Sequence, residues 1–203
     1  MTLSRRAALS LGISGVLTAC ATSGVAMLPP DQRRDAERVA HYLNGLRGVT
    51  AEFTQTGPGD DVSAGRFSYD PGHLRLDYVT PHPMTLVAAN GRIVMNDSAT
   101  GAVTHLSLSR NPLGLLLRTP IRFDHGIQIT GVQRGVNSLQ ISAAEADNPS
   151  QGLLTMQFAD RQDQLTLIGL DGVDARQHRL VLHIRRLQEG TVFPAGTFSP
   201  PEG

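Results

Sequence analysis

The chain has no tryptophan, and its 203 residues include only six phenylalanines and three tyrosines. Its apolar material is therefore mostly aliphatic. It has one cysteine, Cys20, near the N-terminus, so the domain that follows has no disulfide and no thiol nucleophile. Basic side chains balance aspartate and glutamate to a formal net charge of zero, which removes any general electrostatic pull toward nucleic acid or an anionic bilayer. The reactive signatures are missing too. There is no GxSxG elbow, no Walker loop and no GxGxxG. The seven histidines are scattered with no HxH or HExxH spacing, and His178 and His183, five apart on an expected strand, point to opposite faces. A metal site is not expected, nor a cofactor, and no catalytic set points to an enzyme.

What is present begins with an export signal. Met1 to Arg6 is short and basic, and Ala7 to Leu17 is mildly apolar but too short to span a bilayer as a permanent helix. Ser4-Arg5-Arg6-Ala7-Ala8-Leu9 resembles a twin-arginine export motif, with Ala8 where a bulkier Phe is usual. Two cleavage readings stand side by side. Leu17-Thr18-Ala19-Cys20 resembles a lipobox, which would make Cys20 a lipid-modified first residue. Ala19-Cys20-Ala21 also reads as a small-x-small site, which would discard it. Residues 1–20 are thus a signal with a candidate lipobox, 21–30 a tether ending in Pro29-Pro30, and 31–203 one domain.

That domain starts with an amphipathic helix. Asp31 is a candidate N-cap, and Ala36, Val39, Ala40, Leu43 and Leu46 recur at helical spacing. Gln32, Arg33, Arg34, Glu37 and Arg38 take the opposite face, and Gly45 and Gly48 mark the end. From Val49 the period changes to two. Ser63 to Pro83 reads as two strands around an Asp70-Pro71-Gly72 turn, with Phe67 and Tyr69 on one face of the first, Leu74, Leu76 and Tyr78 on one face of the second, and Arg75 and Asp77 on the other. Asn90-Gly91 is a strong hairpin signal. A second helix is expected over Asn111 to Arg118, capped by Asn111 and stopped by Thr119-Pro120. Strands then resume to Ile184 and a Phe193–Pro201 tail closes the chain. The sum is roughly eleven strands in antiparallel meander order with one helix before them and one in the middle. Asp160 and Asp163 flank a turn and read as solvated carboxylates. Arg185-Arg186 reads as a surface pair, with docking of an acidic partner as the alternative.

An ordered set of segments resembles the LolA family of periplasmic carriers of outer-membrane lipoproteins. It comprises Leu43-Asn44-Gly45-Leu46-Arg47-Gly48-Val49-Thr50-Ala51-Glu52-Phe53-Thr54-Gln55, then Gly65-Arg66-Phe67 and Tyr69 through Tyr78. Asn90-Gly91-Arg92, Asn111-Pro112-Leu113 and the closing Phe198 to Gly203 continue it in order. The resemblance implies an α+β, mostly antiparallel fold: an incomplete, half-open β-barrel of eleven strands with a helical lid over a hydrophobic cavity. It also implies a basic residue before the proline of the second-to-third-strand turn, helping to latch the lid. Here that position is Asp70, and a carboxylate cannot donate the same hydrogen bonds.

The function implied is a monomeric periplasmic carrier of lipoprotein acyl chains. It would receive cargo from an ATP-driven inner-membrane release complex and hand it to an outer-membrane receptor lipoprotein. The alternative is a Cys20-anchored receptor or lipoprotein sensor of the same fold. Candidate cavity-lining residues are Phe67, Leu74, Leu76, Tyr78, Leu86, Met95, Met156 and Phe158, with Leu113, Leu116 and Leu117 on the lid. Taken singly, each is also what ordinary core packing would use.

Overall fold

The structure, a computed structural model, describes residues 25–57, 59–124 and 126–201. The expected export signal with Cys20 and the first four residues of the expected tether lie outside these. The strands are β1 (Val49–Thr56), β2 (Val62–Asp70), β3 (His73–Thr80), β4 (Met84–Ala89), β5 (Arg92–Asp97) and β6 (Ala102–Ser107). After a crossover come β7 (Ile127–Gly135), β8 (Ser138–Glu145), β9 (Gly152–Arg161), β10 (Gln164–Asp174) and β11 (Arg179–Gln188). The helices are α1 (Pro30–Gly45) and α2 (Leu113–Leu116).

All neighbouring strands are antiparallel, and they form one sheet in the order β6-β5-β4-β3-β2-β1-β11-β10-β9-β8-β7. The single non-sequential pairing, β1 with β11, joins the two halves. Strands β6 and β7 are the two ends, so the sheet is not closed and makes the open barrel that the LolA resemblance implies. Its hairpins obey local rules. At the β4–β5 turn both Asn90 (φ 50°) and Gly91 (φ 76°) are left-handed, as a two-residue hairpin turn of type I′ requires.

Period-two alternation turns one face inward. Leu74, Leu76 and Tyr78 of β3 are buried beside Phe67 and Tyr69 of β2, and Phe158, Met156 and Leu154 of β9 beside Leu139 and Ile141 of β8. Because hairpins alternate ends, the β2–β3 and β4–β5 turns lie at the same strand ends as the β7–β8 and β9–β10 turns. The crossover carrying α2 leaves β6 at that same rim, here called the mouth.

Two helix boundaries differ from the sequence reading. Helix α1 opens at Pro30, with Asp31 inside its first turn and paired with Arg34. The fixed φ of proline suits the first helical position, and the carboxylate still meets the positive end of the helix dipole. The second helix is only one turn, preceded by a 3-10 turn at Leu108–Arg110. Gly114 allows that tight fold-back, since a Cβ there would lie 2.6 Å from the Leu108 carbonyl oxygen. The C-terminal tail runs over the outer face. Gly190 and Thr191 donate to the carbonyls of Arg47 and Gly48, Arg75 donates to the Thr197 carbonyl, and the Phe198 ring packs on His73.

Candidate functional site

Helix α1 lies along the inner face with a buried stripe of Asp35, Ala36, Val39 and Leu43. Asp35 is only 1 % exposed, so its charge must be matched. Arg134 of β7 reaches it through Nε at 2.6 Å, and Arg38 through Nη1 at 3.3 Å. Arg38 also grips Asp160 at the end of β9 through two bonds of 2.8 and 3.0 Å. Asp160 is therefore no free turn carboxylate, nor does Arg38 simply face solvent. The guanidinium bond of Arg38 is the main reason that Asp160 sits below the usual carboxylate range, against a smaller opposing effect of burial.

Further along α1, the Tyr42 hydroxyl accepts the Leu167 N–H at 3.0 Å, beside the bulge where β10 slips against β9. Burial raises the pKa of Tyr42. At the mouth, Asn44 makes a two-way clamp on the strand of chain after α2. Its Nδ2 donates to the Ile121 carbonyl and its Oδ1 accepts the Ile121 N–H, both at 2.9 Å. Asp70 takes a neighbouring post, where its Oδ1 accepts the Gly48 N–H at 3.0 Å. The carboxylate thus fixes the α1–β1 connection, and an amide, Asn44, ties the helical segments together.

Helix α2 is held more lightly. The cap position is Pro112 and not the expected Asn111, whose side chain instead accepts the Leu113 N–H at 3.0 Å in an Asx turn that leads into the helix. Leu115, Leu116 and Leu117 are buried, and Arg118 pairs with Glu145 at the end of β8. An opening of about 260 Å³ lies between α2 and the rim, walled by Leu108, Pro112, Leu115 and Leu117, with Arg118 and Glu145 beside them. A second, of about 370 Å³, separates Asn44 and Arg47 from Pro71 and Thr119.

Beneath the helices the described side chains pack closely, and the void among Leu46, Val49, Phe67, Tyr69, Leu116 and Leu167 amounts to about 10 Å³, too small for any ligand. Of the candidate lining residues, Phe67, Leu74, Leu76, Tyr78, Met156, Phe158, Leu116 and Leu117 are buried in one continuous core, and Leu86 and Leu113 pack against it half-buried. Met95 is half-buried on β5. Phe67 and Leu116 meet at the internal void and Leu117 lines the rim opening. One polar pair sits inside: the Tyr78 hydroxyl donates to Gln55 Oε1 at 2.7 Å, and burial pushes the phenol up to about 12. Sequence reasoning missed Asp35, Asn44 and Gln55. Asp35 carried a signal, since positions 35, 39 and 43 fall on one helical face. Among the described residues no group of three or more His, Cys, Asp or Glu side chains could hold a metal, and no helix is long and apolar enough to cross a membrane.

Several solved structures align over most of the chain at low identity. An uncharacterized conserved protein from Thermus thermophilus is 8% identical, with 85% of this chain and 94% of that one covered and a TM-score of 0.49. A LolA superfamily protein from Nitrosomonas europaea is 10% identical over 81% and 97%, TM-score 0.43. The lipoprotein LppX of Mycobacterium tuberculosis is 12% identical over 82% and 100%, TM-score 0.46. No curated protein sequence matches significantly. Residues 44–200, more than half of the chain, match the family of the outer membrane lipoprotein carrier protein LolA, and the chain belongs to that family.

Proposed function

We propose that the protein is a periplasmic carrier of lipoprotein acyl chains, accepting them from an ATP-driven inner-membrane release complex and passing them to an outer-membrane receptor lipoprotein. The observation that carries the reading is an apolar sheet face covered by helices instead of by a second sheet. In this conformation α2 occupies the place that a fatty tail would take. Displacing Leu115, Leu116 and Leu117 exposes side chains worth about 2 kcal/mol each. One long acyl chain brings on the order of 10 kcal/mol for leaving water. Exchange is therefore feasible without binding so tight that handover stalls. Phe67, Leu74, Leu76, Tyr78, Met156 and Phe158 would floor the vacated space, Leu86 and Met95 would extend it, and Leu113, Leu116 and Leu117 would swing clear. A lining with no tryptophan gives dispersion contact without rigid shape selection.

The test is reconstitution. Proteoliposomes holding the release complex and an acylated lipoprotein are supplied with ATP and the purified protein. A soluble complex of cargo and protein is expected, and its absence would overturn the reading. A second reading, an anchored receptor, is favoured by Leu17-Thr18-Ala19-Cys20. Mass spectrometry of the mature N-terminus separates the two, because a diacylated Cys20 would tether the protein and forbid free shuttling.

A further inference from the structure

The outer face of the sheet carries a charge arrangement that the carrier reading does not use. Strict alternation from buried Ile184 would send Arg185 out, Arg186 in and Leu187 out. The structure avoids this with a bulge. Between the Thr50–Gln188 and Glu52–Arg185 pairs β11 has one residue more than β1, and Arg186 adopts a left-handed φ of 54°. Ile184 and Leu187 thereby both face the core, while Arg185 and Arg186 both stand in solvent. A left-handed arginine is uncommon, and it is kept here at a place where it moves a second cation to one surface.

On that surface Glu52 sits between Arg66 of β2 and Arg185 of β11, its register partners on either side. The two arginines are about 10 Å apart, two strand spacings. Arg186 Nη1 donates to Glu52 Oε1. Neither Arg66 nor Arg185 has an ion-pair partner among the described residues. Three guanidiniums thus surround Glu52 on an exposed face of a chain whose overall charge is zero and which contains no lysine, while Asp77, opposite Arg66 on β3, is already engaged by Arg75. Farther along, on the Arg66 side of β2, Val62 is 64 % exposed, and close by the β3 bulge residue Val79 is 68 % exposed.

We propose that this β2–β1–β11 face docks on an anionic phospholipid bilayer, its arginines taking headgroup phosphodiesters and Val79 entering the headgroup layer. Guanidinium forks match phosphate oxygens in pairs, which an ammonium does not. The chemistry favours a bilayer over an acidic protein. The middle of a protein interface is usually depleted of charge and anchored by aromatic side chains in pockets. This face has charges in its middle and neither a pocket nor an aromatic ring among the residues named. Dispersed phosphates answer such a face at about 1 kcal/mol per arginine. The inference does not rest on the carrier reading.

The test is flotation of the full chain with vesicles of equimolar phosphatidylglycerol and phosphatidylcholine, against phosphatidylcholine alone. Binding to the anionic vesicles is expected at low salt, fading as the Debye length shrinks. Arg66→Gln, Arg185→Gln and Arg186→Gln together should lower partitioning by about fivefold for each arginine. Glu52→Gln, which removes the competing carboxylate, should raise it. Arg66→Gln alone leaves the bulge untouched and should give a single fivefold step. Equal binding to neutral vesicles, unchanged binding of the triple variant, or retention on polyglutamate resin with none on vesicles would each overturn the proposal. Uptake of detergent-presented cargo by the triple variant is measured in parallel. Its persistence keeps the carrier reading distinct from the fate of this one.

Discussion

Helices α1 and α2 both fill the open barrel, yet the chain secures them differently. The sixteen residues of α1 are tied near the N-terminal end by Asp35, Arg38, Arg134 and Asp160, and near the C-terminal end by Tyr42 and Asn44. The single turn of α2 has three buried leucines nearby, one Asx-turn bond and one partly exposed ion pair. The contrast teaches which element is built to stay. A helix held by several polar partners on different elements moves only if several bonds break together. One held mainly by apolar contact can be replaced by another apolar body of like size, because the hydrophobic term is non-directional. On this reading α1 belongs to the frame and α2 is the exchangeable stopper.

The largest expected effect comes from truncating the two helices in parallel. Leu43→Ala on α1, at a site 1 % exposed and fixed on both sides, should cost toward the upper end of about 2–5 kcal/mol. Leu116→Ala on α2, 2 % exposed, should fall toward the lower end, since a loosely tied turn can settle into the gap. Denaturant melts of both variants check this, and equal losses would erase the contrast.

Next is Asp35→Asn. Removing one partner of a buried pair can cost about 3–5 kcal/mol, but here Arg134 is more than half exposed and rehydrates. A loss of about 1–3 kcal/mol is expected, with faster amide exchange along α1 and little change in α2. Exchange that rises equally in both would mean that they open as one body.

Acid should act on the same end of α1. Asp160 has its pKa lowered in the folded protein, so the stability it contributes is complete above the unfolded value, near about 3.9, and is lost as pH falls through the folded one. Below about pH 4 this end of α1 should therefore loosen before the sheet melts. Amide exchange against pH reads this, and Asp160→Asn should flatten the profile.

Much of this frame was legible in the sequence, and the reasons are local. Alternation through Phe67, Tyr69, Leu74, Leu76 and Tyr78, the Asn90-Gly91 turn and the stripe of α1 are each set within a few residues. The polar ties were not legible. Arg38 and Asp160 are 122 residues apart, and only the order of strands, β1 beside β11, makes them meet. The β11 bulge has no glycine or asparagine to announce it; Arg186 turns left-handed because Ile184 and Leu187 both have core positions to fill. The close packing beneath the helices was hidden for a similar reason, since how far one turn of α2 reaches depends on a fold-back at Gly114 that spacing alone does not encode.

The smallest effect on stability should have the most bearing on function. Arg118 and Glu145 are each about one-third exposed, so Arg118→Gln should cost between about 0 and 1 kcal/mol. The pair nevertheless bridges α2 to β8 beside the rim opening, where the Asn111 Asx turn is another side-chain tie of α2. If α2 is the stopper, weakening the bridge should speed α2 amide exchange and uptake of an acylated cargo while leaving the melting midpoint almost unchanged. Glu145→Gln should do the same, and the double variant should add little, because both remove one interaction. Matched Asp35→Asn measurements would then show the reverse pattern, lower stability with uptake little altered. Uptake that followed stability in both helices alike would place the moving part in α1 after all.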